Sequence, residues 1–189
     1  MKSVTSVFLF VTILSLAIAL PSLSTVTRQG ATLVVTSAAD SGPGTLRQAL
    51  LDAQDGDTIT FDAAVFPPTA PVIISVTSEL PQILVSNLTI DASSAGVILD
   101  GSHLTGDWEP GLQIVSSNGN TIRGLQISNF SGRAIDISGD AQNNVIGGDR
   151  SIGAGSFGQG NRLTHNGNGV VLSTAGTTLN TITGNLIGT

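Results

Sequence analysis

Asn120-Thr121-Ile122-Arg123-Gly124-Leu125 returns as Asn144-Val145-Ile146-Gly147-Gly148 and again as Asn180-Thr181-Ile182-Thr183-Gly184-Asn185. The first Asn-to-Asn interval is 24 residues and the second is 36; the excess of 12 matches a Gly/Ser-rich insertion at 149–160 (DRSIGAGSFGQG). A second phrase, a small residue followed by apolar-rich positions, occurs as Ala134-Ile135-Asp136-Ile137 and Gly169-Val170-Val171-Leu172. Around these phrases the chain reads as short strands bounded by Gly, Asn, Asp or Pro. We expect strands at Val72–Val76, Leu88–Asp91, Val97–Leu99, Leu112–Val115, Thr121–Ile127, Ala134–Ile137, Asn144–Ile146, Gly169–Leu172 and Thr181–Ile187. No helical stretch between them is long enough to carry a βαβ crossover.

A period in the twenties built from strands alone points to a solenoid. Each coil lays its strands parallel to those of its neighbour at a spacing of about 4.8 Å. Alternate apolar residues then stack as inward columns, here Ile122, Leu125 and Ile127, and Ile135 and Ile137. Asparagine suits the corners because it tolerates left-handed backbone and its amide can bond the next coil's Asn.

Ahead of the repeats the texture differs. Thr32 to Ser37 (TLVVTS) reads as a strand, and Asp40-Ser41-Gly42-Pro43-Gly44 is turn chemistry. Thr45-Leu46-Arg47-Gln48 has the form of a capping box, with Thr45 and Gln48 satisfying backbone N–H groups at a helix start. Leu46, Ala49, Leu50 and Ala53 then make one apolar face over two turns, Asp55-Gly56 closes the helix, and Thr58 to Phe61 is a strand.

The stretch from Asp40 through Ala49, followed by Gly56-Asp57-Thr58-Ile59-Thr60-Phe61, resembles the N-terminal cap of secreted right-handed parallel β-helix proteins of the pectin-lyase-like superfamily. That cap often reads S-L-R-x-A-I. Leu88-Thr89-Ile90-Asp91, Val97-Ile98-Leu99-Asp100-Gly101 and the Asn-Thr-Ile phrases follow the same pattern. The resemblance spans Thr32 to Thr189 and implies an all-β, right-handed parallel β-helix with an N-terminal strand–helix cap. It implies little about activity, because the superfamily includes adhesin-like chains as well as polysaccharide lyases and hydrolases.

The chain begins Met1-Lys2 and continues into the apolar run Val7 to Leu20. That run is shorter than the ~20 residues of a membrane span and fits a secretory signal. Small residues place cleavage after Ala19 or Ser24. The expected organisation is a signal peptide at 1–24, a cap at 25–66 and coils at 67–189. The third Asn phrase stops in mid-coil with no closing cap, so a chain truncated at its C-terminus is expected.

Charged residues make up 11% of the chain, under half of the roughly 25% usual for a soluble domain. The formal charge is −6, and the only Lys is Lys2. Nucleic acid is therefore not an expected partner, since phosphate neutralisation needs clustered Lys and Arg. With no Cys and no Tyr, disulfides, thiolate chemistry and Tyr acid catalysis lack their residue. The two histidines, His103 and His165, leave little for a zinc site, and no cofactor is expected; calcium enters only by analogy with the family's lyases.

A hydrolase of this superfamily would need two carboxylates at a defined separation, and its Asp-Asp and Gly-His-Gly signature is not present. What stands out is one polar cluster, Asp100, His103, Asp107, Trp108 and Glu109, between two expected strands. On one reading it is a sugar platform, with Trp108 stacking on a ring and carboxylates bonding hydroxyls. On the other, Asp100-Gly101 is a turn, Trp108 covers a core edge, and Asp107 and Glu109 are solvated. Asp136, between Ile135 and Ile137, should face outward toward Arg123 or Arg133, and His165 reads as a turn residue. Asn87-Leu88-Thr89 and Asn129-Phe130-Ser131 match the glycosylation pattern.

The expectation is an exported, non-enzymatic module, secreted or in the cell envelope, that binds polysaccharide, cell-surface glycan or a partner in the manner of an adhesin. It needs no membrane once the signal is removed. The alternative is the N-terminal part of a polysaccharide lyase or glycoside hydrolase. The oligomeric state is open.

Overall fold

The computed structural model describes residues 29–188, so the expected signal peptide and its cleavage site lie outside the described residues. The chain passes repeatedly through the same three directions. It begins with β1 (Thr32–Val35) and α1 (Leu46–Asp52). A second passage follows as β2 (Thr58–Phe61) and β3 (Val72–Ser75), with a single bridge at Ile83. The third is β4 (Thr89–Asp91), β5 (Val97–Asp100) and β6 (Leu112–Val115), and the fourth is β7 (Thr121–Arg123), β8 (Gln126–Ser128) and β9 (Arg133–Ser138). The fifth is β10 (Val145–Gly147), β11 (Arg162–Thr164) and β12 (Asn168–Leu172), and the last is β13 (Thr181–Thr183) and β14 (Leu186–Ile187).

Strands with the same place in successive passages pair with one another. The first sheet has the order β1-β2-β4-β7-β10-β13, the second β14-β11-β8-β5-β3 and the third β12-β9-β6. Every pairing is parallel. Among the described residues, one short helix and three parallel sheets make an all-β arrangement compatible with a parallel β-helix.

Register explains the core. In the first sheet Leu33, Ile59, Ile90, Ile122, Ile146 and Ile182 lie opposite one another, and in the second Ile74, Leu99, Ile127, Leu163 and Ile187 do so. The members between Ile59 and Ile146 and between Ile74 and Leu163 are buried. Ile122, Leu125, Ile127, Ile135 and Ile137 all face inward, as the alternation requires. Each fully buried Ile or Leu contributes about 1.5–3 kcal/mol relative to exposure, so the columns are the main apolar term.

Two expected strands are each two. Gly124, at φ +77, separates β7 from β8, and Gly184, at φ +66, separates β13 from β14. A Cβ on Gly124 would overlap the backbone nitrogen of Ser93, so the corner needs glycine for both conformation and space. β11 was not expected, because the insertion that precedes it hides its place in the repeat.

The helix forms where its cap predicts. Thr45 Oγ1 accepts from the Gln48 N–H at 3.2 Å, and Leu46, Ala49 and Leu50 are buried. Only half of the capping box is made: the Gln48 side chain runs forward to Asp52 Oδ1 at 2.9 Å. Arg47 pairs with Asp40 at 2.7 Å and donates to the carbonyls of Ser78 and Glu79, tying the helix to the segment after β3. The buried Asp57 accepts from Ala31 N at 2.7 Å and Gln54 N at 2.9 Å, joining the start of β1 to the turn after the helix.

Candidate functional site

β5 ends at Asp100 and β6 begins at Leu112, leaving a loop at 101–111 that holds the rest of the sequence-predicted cluster. The loop lies against the turn that follows β8 in the next passage. Gly101 N donates to Ser128 O at 3.0 Å, and a Cβ on Gly101 would press on the Phe130 ring at 2.6 Å. Ser131 Oγ donates to Gly106 O at 2.9 Å and accepts from Glu109 N at 3.1 Å. Gly132 N donates to Glu109 O at 3.0 Å. Ser128, Phe130, Ser131 and Gly132 thus hold the loop against the end of β8 and the turn after it.

The cluster divides in two. Asp100 Oδ1 accepts from Asn129 Nδ2 at 2.8 Å, and Oδ2 accepts from Ser102 Oγ at 2.8 Å. Ser102 Oγ is also 3.3 Å from His103 Nδ1, so Asp100, Ser102, His103 and Asn129 form one hydrogen-bonded group. Burial raises the Asp100 pKa. The bonds from Asn129 and Ser102, with His103 nearby, outweigh it and hold the carboxyl below its ordinary value.

The second half is Asp107, Trp108 and Glu109. Trp108 is 74% exposed and sits at φ 68, a left-handed conformation that costs an L-residue roughly 1–2 kcal/mol. It therefore does not cover a core edge. Its indole stands in solvent while its backbone is fixed, since a Cβ on Gly132 would overlap the Trp108 carbonyl. Asp107 is exposed. Glu109 is less so: its carboxylate lies beside Gly106, and Oε2 is buried without a hydrogen-bond partner.

Sequence reasoning missed the anchoring turn. The Asn129-Phe130-Ser131 triplet matches a glycosylation pattern in sequence, yet in the fold the Asn129 side chain bonds Asp100 at the end of β5 and the Ser131 side chain bonds Gly106 in the loop. It also misses a trough of about 340 Å³ on the outer face of the second sheet, floored by Ile98, Gln126, Ser128, Arg162 and Thr164 and edged by Asn129 and His165. Finding it from sequence would have required recognising β11, because Arg162 lies opposite Gln126 and Thr164 opposite Ser128. Arg162 also lies 5.9 Å from the Phe157 ring in the 149–160 insertion.

Asp136 faces outward, opposite Gln113 and Val171, but those neighbours and Arg133 cover it and leave it buried. Arg133 is its partner, at 3.0 Å; Arg123 instead pairs with Asp91 at 2.6 Å. His165 is a turn residue at φ 56, with Nδ1 2.8 Å from Thr164 Oγ1. Among the described residues no three His, Asp or Glu side chains gather as a metal site, and no helix is long and apolar enough to cross a membrane. Comparison with protein-family models, curated proteins and solved structures finds no match.

Proposed function

We propose that the chain is an exported, adhesin-like module with a right-handed, pectin-lyase-like parallel β-helix and an N-terminal strand–helix cap, and that it binds glycan through the loop between β5 and β6. The observation that carries this reading is Trp108. An exposed indole at φ 68, next to a Glu109 whose backbone N and O are both hydrogen-bonded, presents a large apolar face at a set point of the loop, and such a face stacks on a sugar ring. Asp100 and Asp107, close to Trp108 in sequence, supply acceptors for hydroxyl groups, and the trough beside Asn129 extends the surface. The carboxylates have structural work: Asp100 caps its own turn and Glu109 packs under the loop, which favours binding over turnover.

The test is retention on immobilised polysaccharides of the chain carrying Trp108→Ala, and separately Asp100→Ala, Asp107→Ala and Glu109→Ala. Trp108→Ala should lose at least tenfold in affinity while its thermal unfolding stays that of the wild type. Unchanged retention, or turnover of any polysaccharide by the wild type, overturns the reading.

A further inference from the structure

We propose that the trough on the outer face of the second sheet is an anion site, in which the Arg162 guanidinium holds an oxyanion, free or carried by a larger ligand. The trough adjoins the proposed glycan surface, but its chemistry needs neither Trp108 nor a sugar. Its volume of about 340 Å³ is near the lower end of the roughly 300–1,000 Å³ of ligand sites, which suits one charged group and its immediate surroundings. It lies on the flank of the stack, where β11 has β8 on one side and β14 on the other.

Alternation along two neighbouring strands builds the floor. Ile127 of β8 and Leu163 of β11 lie opposite each other and are buried, so the residues on either side of them face out. These are Gln126 and Ser128 on one strand and Arg162 and Thr164 on the next, with Gln126 opposite Arg162 and Ser128 opposite Thr164. Adjacent strands stand about 4.8 Å apart, so a group of a few ångströms can reach both.

The charge on this floor differs from the chain's paired cations. Arg47, Arg123 and Arg133 each hold an Asp carboxylate, at 2.7, 2.6 and 3.0 Å. The Arg162 guanidinium has no carboxylate and no hydrogen-bonded acceptor among the described residues, and the side chains of Gln126 and Ser128 beside it are also uncommitted. No acidic residue lines the trough. Asp100 is the acid nearest in register, opposite Ser128, and its two carboxylate oxygens are engaged by Asn129 and Ser102. An unpaired guanidinium thus persists in a chain with 13 acidic residues.

The guanidinium is also placed. The Phe157 ring centroid lies 5.9 Å from it, on the insertion at 149–160. That insertion is itself held, because Gly155 N donates to Ser93 O at 2.8 Å and a Cβ on Gly153 would overlap the same oxygen. A guanidinium against a ring face keeps its N–H edge free, and that edge is a planar fork matching two oxygens of one oxyanion. The Ser128 hydroxyl and the Gln126 amide add donors beside it. His165 stands at the rim with Nδ1 2.8 Å from Thr164 Oγ1, which leaves Nε2 unengaged. Covering Arg162 with a neutral ligand would remove hydration from its charge without replacing it, so the occupant carries the opposite charge.

The experiment is a titration of the nitrogen-15-labelled chain with sodium sulfate, sodium phosphate and sodium acetate in turn, at neutral pH and fixed ionic strength. Backbone amide and arginine Nε–H signals are followed. The expected result is a saturable shift, with at least one of the three, confined to residues 126–129 and 162–165 and the Arg162 Nε–H. Arg162→Gln should weaken binding at least about tenfold, while Arg150→Gln, which changes an exposed arginine outside the trough, leaves it unchanged. Saturation by sulfate or phosphate alone assigns a tetrahedral group, and saturation by acetate alone assigns a carboxylate. No saturable shift with any of the three overturns the proposal, as do shifts spread evenly over the surface or an Arg162→Gln variant that binds like the wild type. Should Arg162→Gln fail to fold, Arg162→Lys, which keeps the charge and loses the fork, takes its place and should bind several-fold more weakly than the wild type.

Discussion

Asn144 donates twice to one atom: its backbone N–H and its Nδ2 both reach Oδ1 of Asn180, each at 2.9 Å. Asn161 treats Asn185 in the same way at 3.0 Å for both bonds. The geometry repeats because each corner Asn serves its neighbours through both ends of the amide. Asn144 Oδ1 accepts from Asn120 N at 2.8 Å, and Asn185 Nδ2 donates to Ile146 O at 2.7 Å. At the remaining corner Asn166 joins Phe130 N and Ile127 O. Strand pairing leaves the corner backbone groups unmatched, and a carboxamide carries its donor and its acceptor on separate atoms, so one short side chain can meet an N–H and a C=O at once.

Asn144→Ala should therefore be costly. It strands the N–H of the buried Asn120 and removes a donor to Ser117 O. At about 1–3 kcal/mol for each buried group left unsatisfied, the variant should lose about 2–4 kcal/mol by equilibrium urea unfolding. Asn180→Ala strands the N–H of Asn144, which is as buried as that of Asn120, and the Ala141 carbonyl, so it should lose a similar amount. A much smaller loss at Asn180 would mean that burial of the satisfied group does not set the value of the ladder.

Gly124→Ala and Gly42→Ala separate conformation from space. Both glycines have positive φ, +77 and +102, but nothing lies within 4 Å of a Cβ on Gly42, while one on Gly124 meets the backbone of Ala92 and Ser93. The left-handed conformation alone costs about 1–2 kcal/mol, and that is the loss expected for Gly42→Ala. Gly124→Ala should lose more, or fail to fold, since backbone has no rotamer by which to yield. Thermal unfolding of the two variants makes the comparison.

Much of this was legible in the sequence, and the parts that were not share one cause. The inward columns, the helix with its Thr45 cap and the Asn corners before β7, β10 and β13 follow from alternation, spacing and side-chain chemistry, which are local. The Gly124 corner was not legible because Thr121 to Ile127 reads as continuous alternation, and a bend shows only when the chain must turn from one sheet to the next. β11 was hidden by an insertion that broke the period. The cluster at Asp100 and Trp108 was visible as composition, but its anchor at Asn129 and Ser131 lies a full passage away, and register of that kind is set by stacking rather than by neighbours in sequence.

Stability should fall in acid through three carboxylates. Burial raises the pKa of Asp40, Asp91 and Asp100, but hydrogen bonds outweigh it in each, from Arg47 and Thr77, from Arg123 and Ser93, and from Asn129 and Ser102 respectively. All three lie below their ordinary value of 3.8. A carboxyl with a depressed folded pKa stabilises above the unfolded value and loses that contribution as pH falls through the folded one. Urea midpoints should therefore be flat from neutral pH down to about 5 and decline through the range below about 4. Arg123→Gln removes the first-named partner of Asp91, so its decline relative to neutral pH should be shallower than that of the wild type. A parallel decline would assign the acid sensitivity to other groups.

Gly132→Ala tests whether the glycan reading depends on the position of Trp108 or merely on its presence. A methyl at 132 overlaps the Trp108 carbonyl and crowds Glu109 O at 2.9 Å, so the loop must lift from the turn that anchors it. The indole remains in the sequence, but the adjoining Glu109 carbonyl loses its bond from Gly132 N. If a preset plate is what binds, the affinity of Gly132→Ala for a retained polysaccharide should fall toward that of Trp108→Ala, with the on-rate little changed and the off-rate raised. Ser131→Ala, which removes the bonds to Gly106 O and Glu109 N without a clash, should fall between wild type and Gly132→Ala. Wild-type affinity in both variants would mean that any exposed tryptophan in a mobile loop suffices and that the strained backbone at 108 serves packing alone.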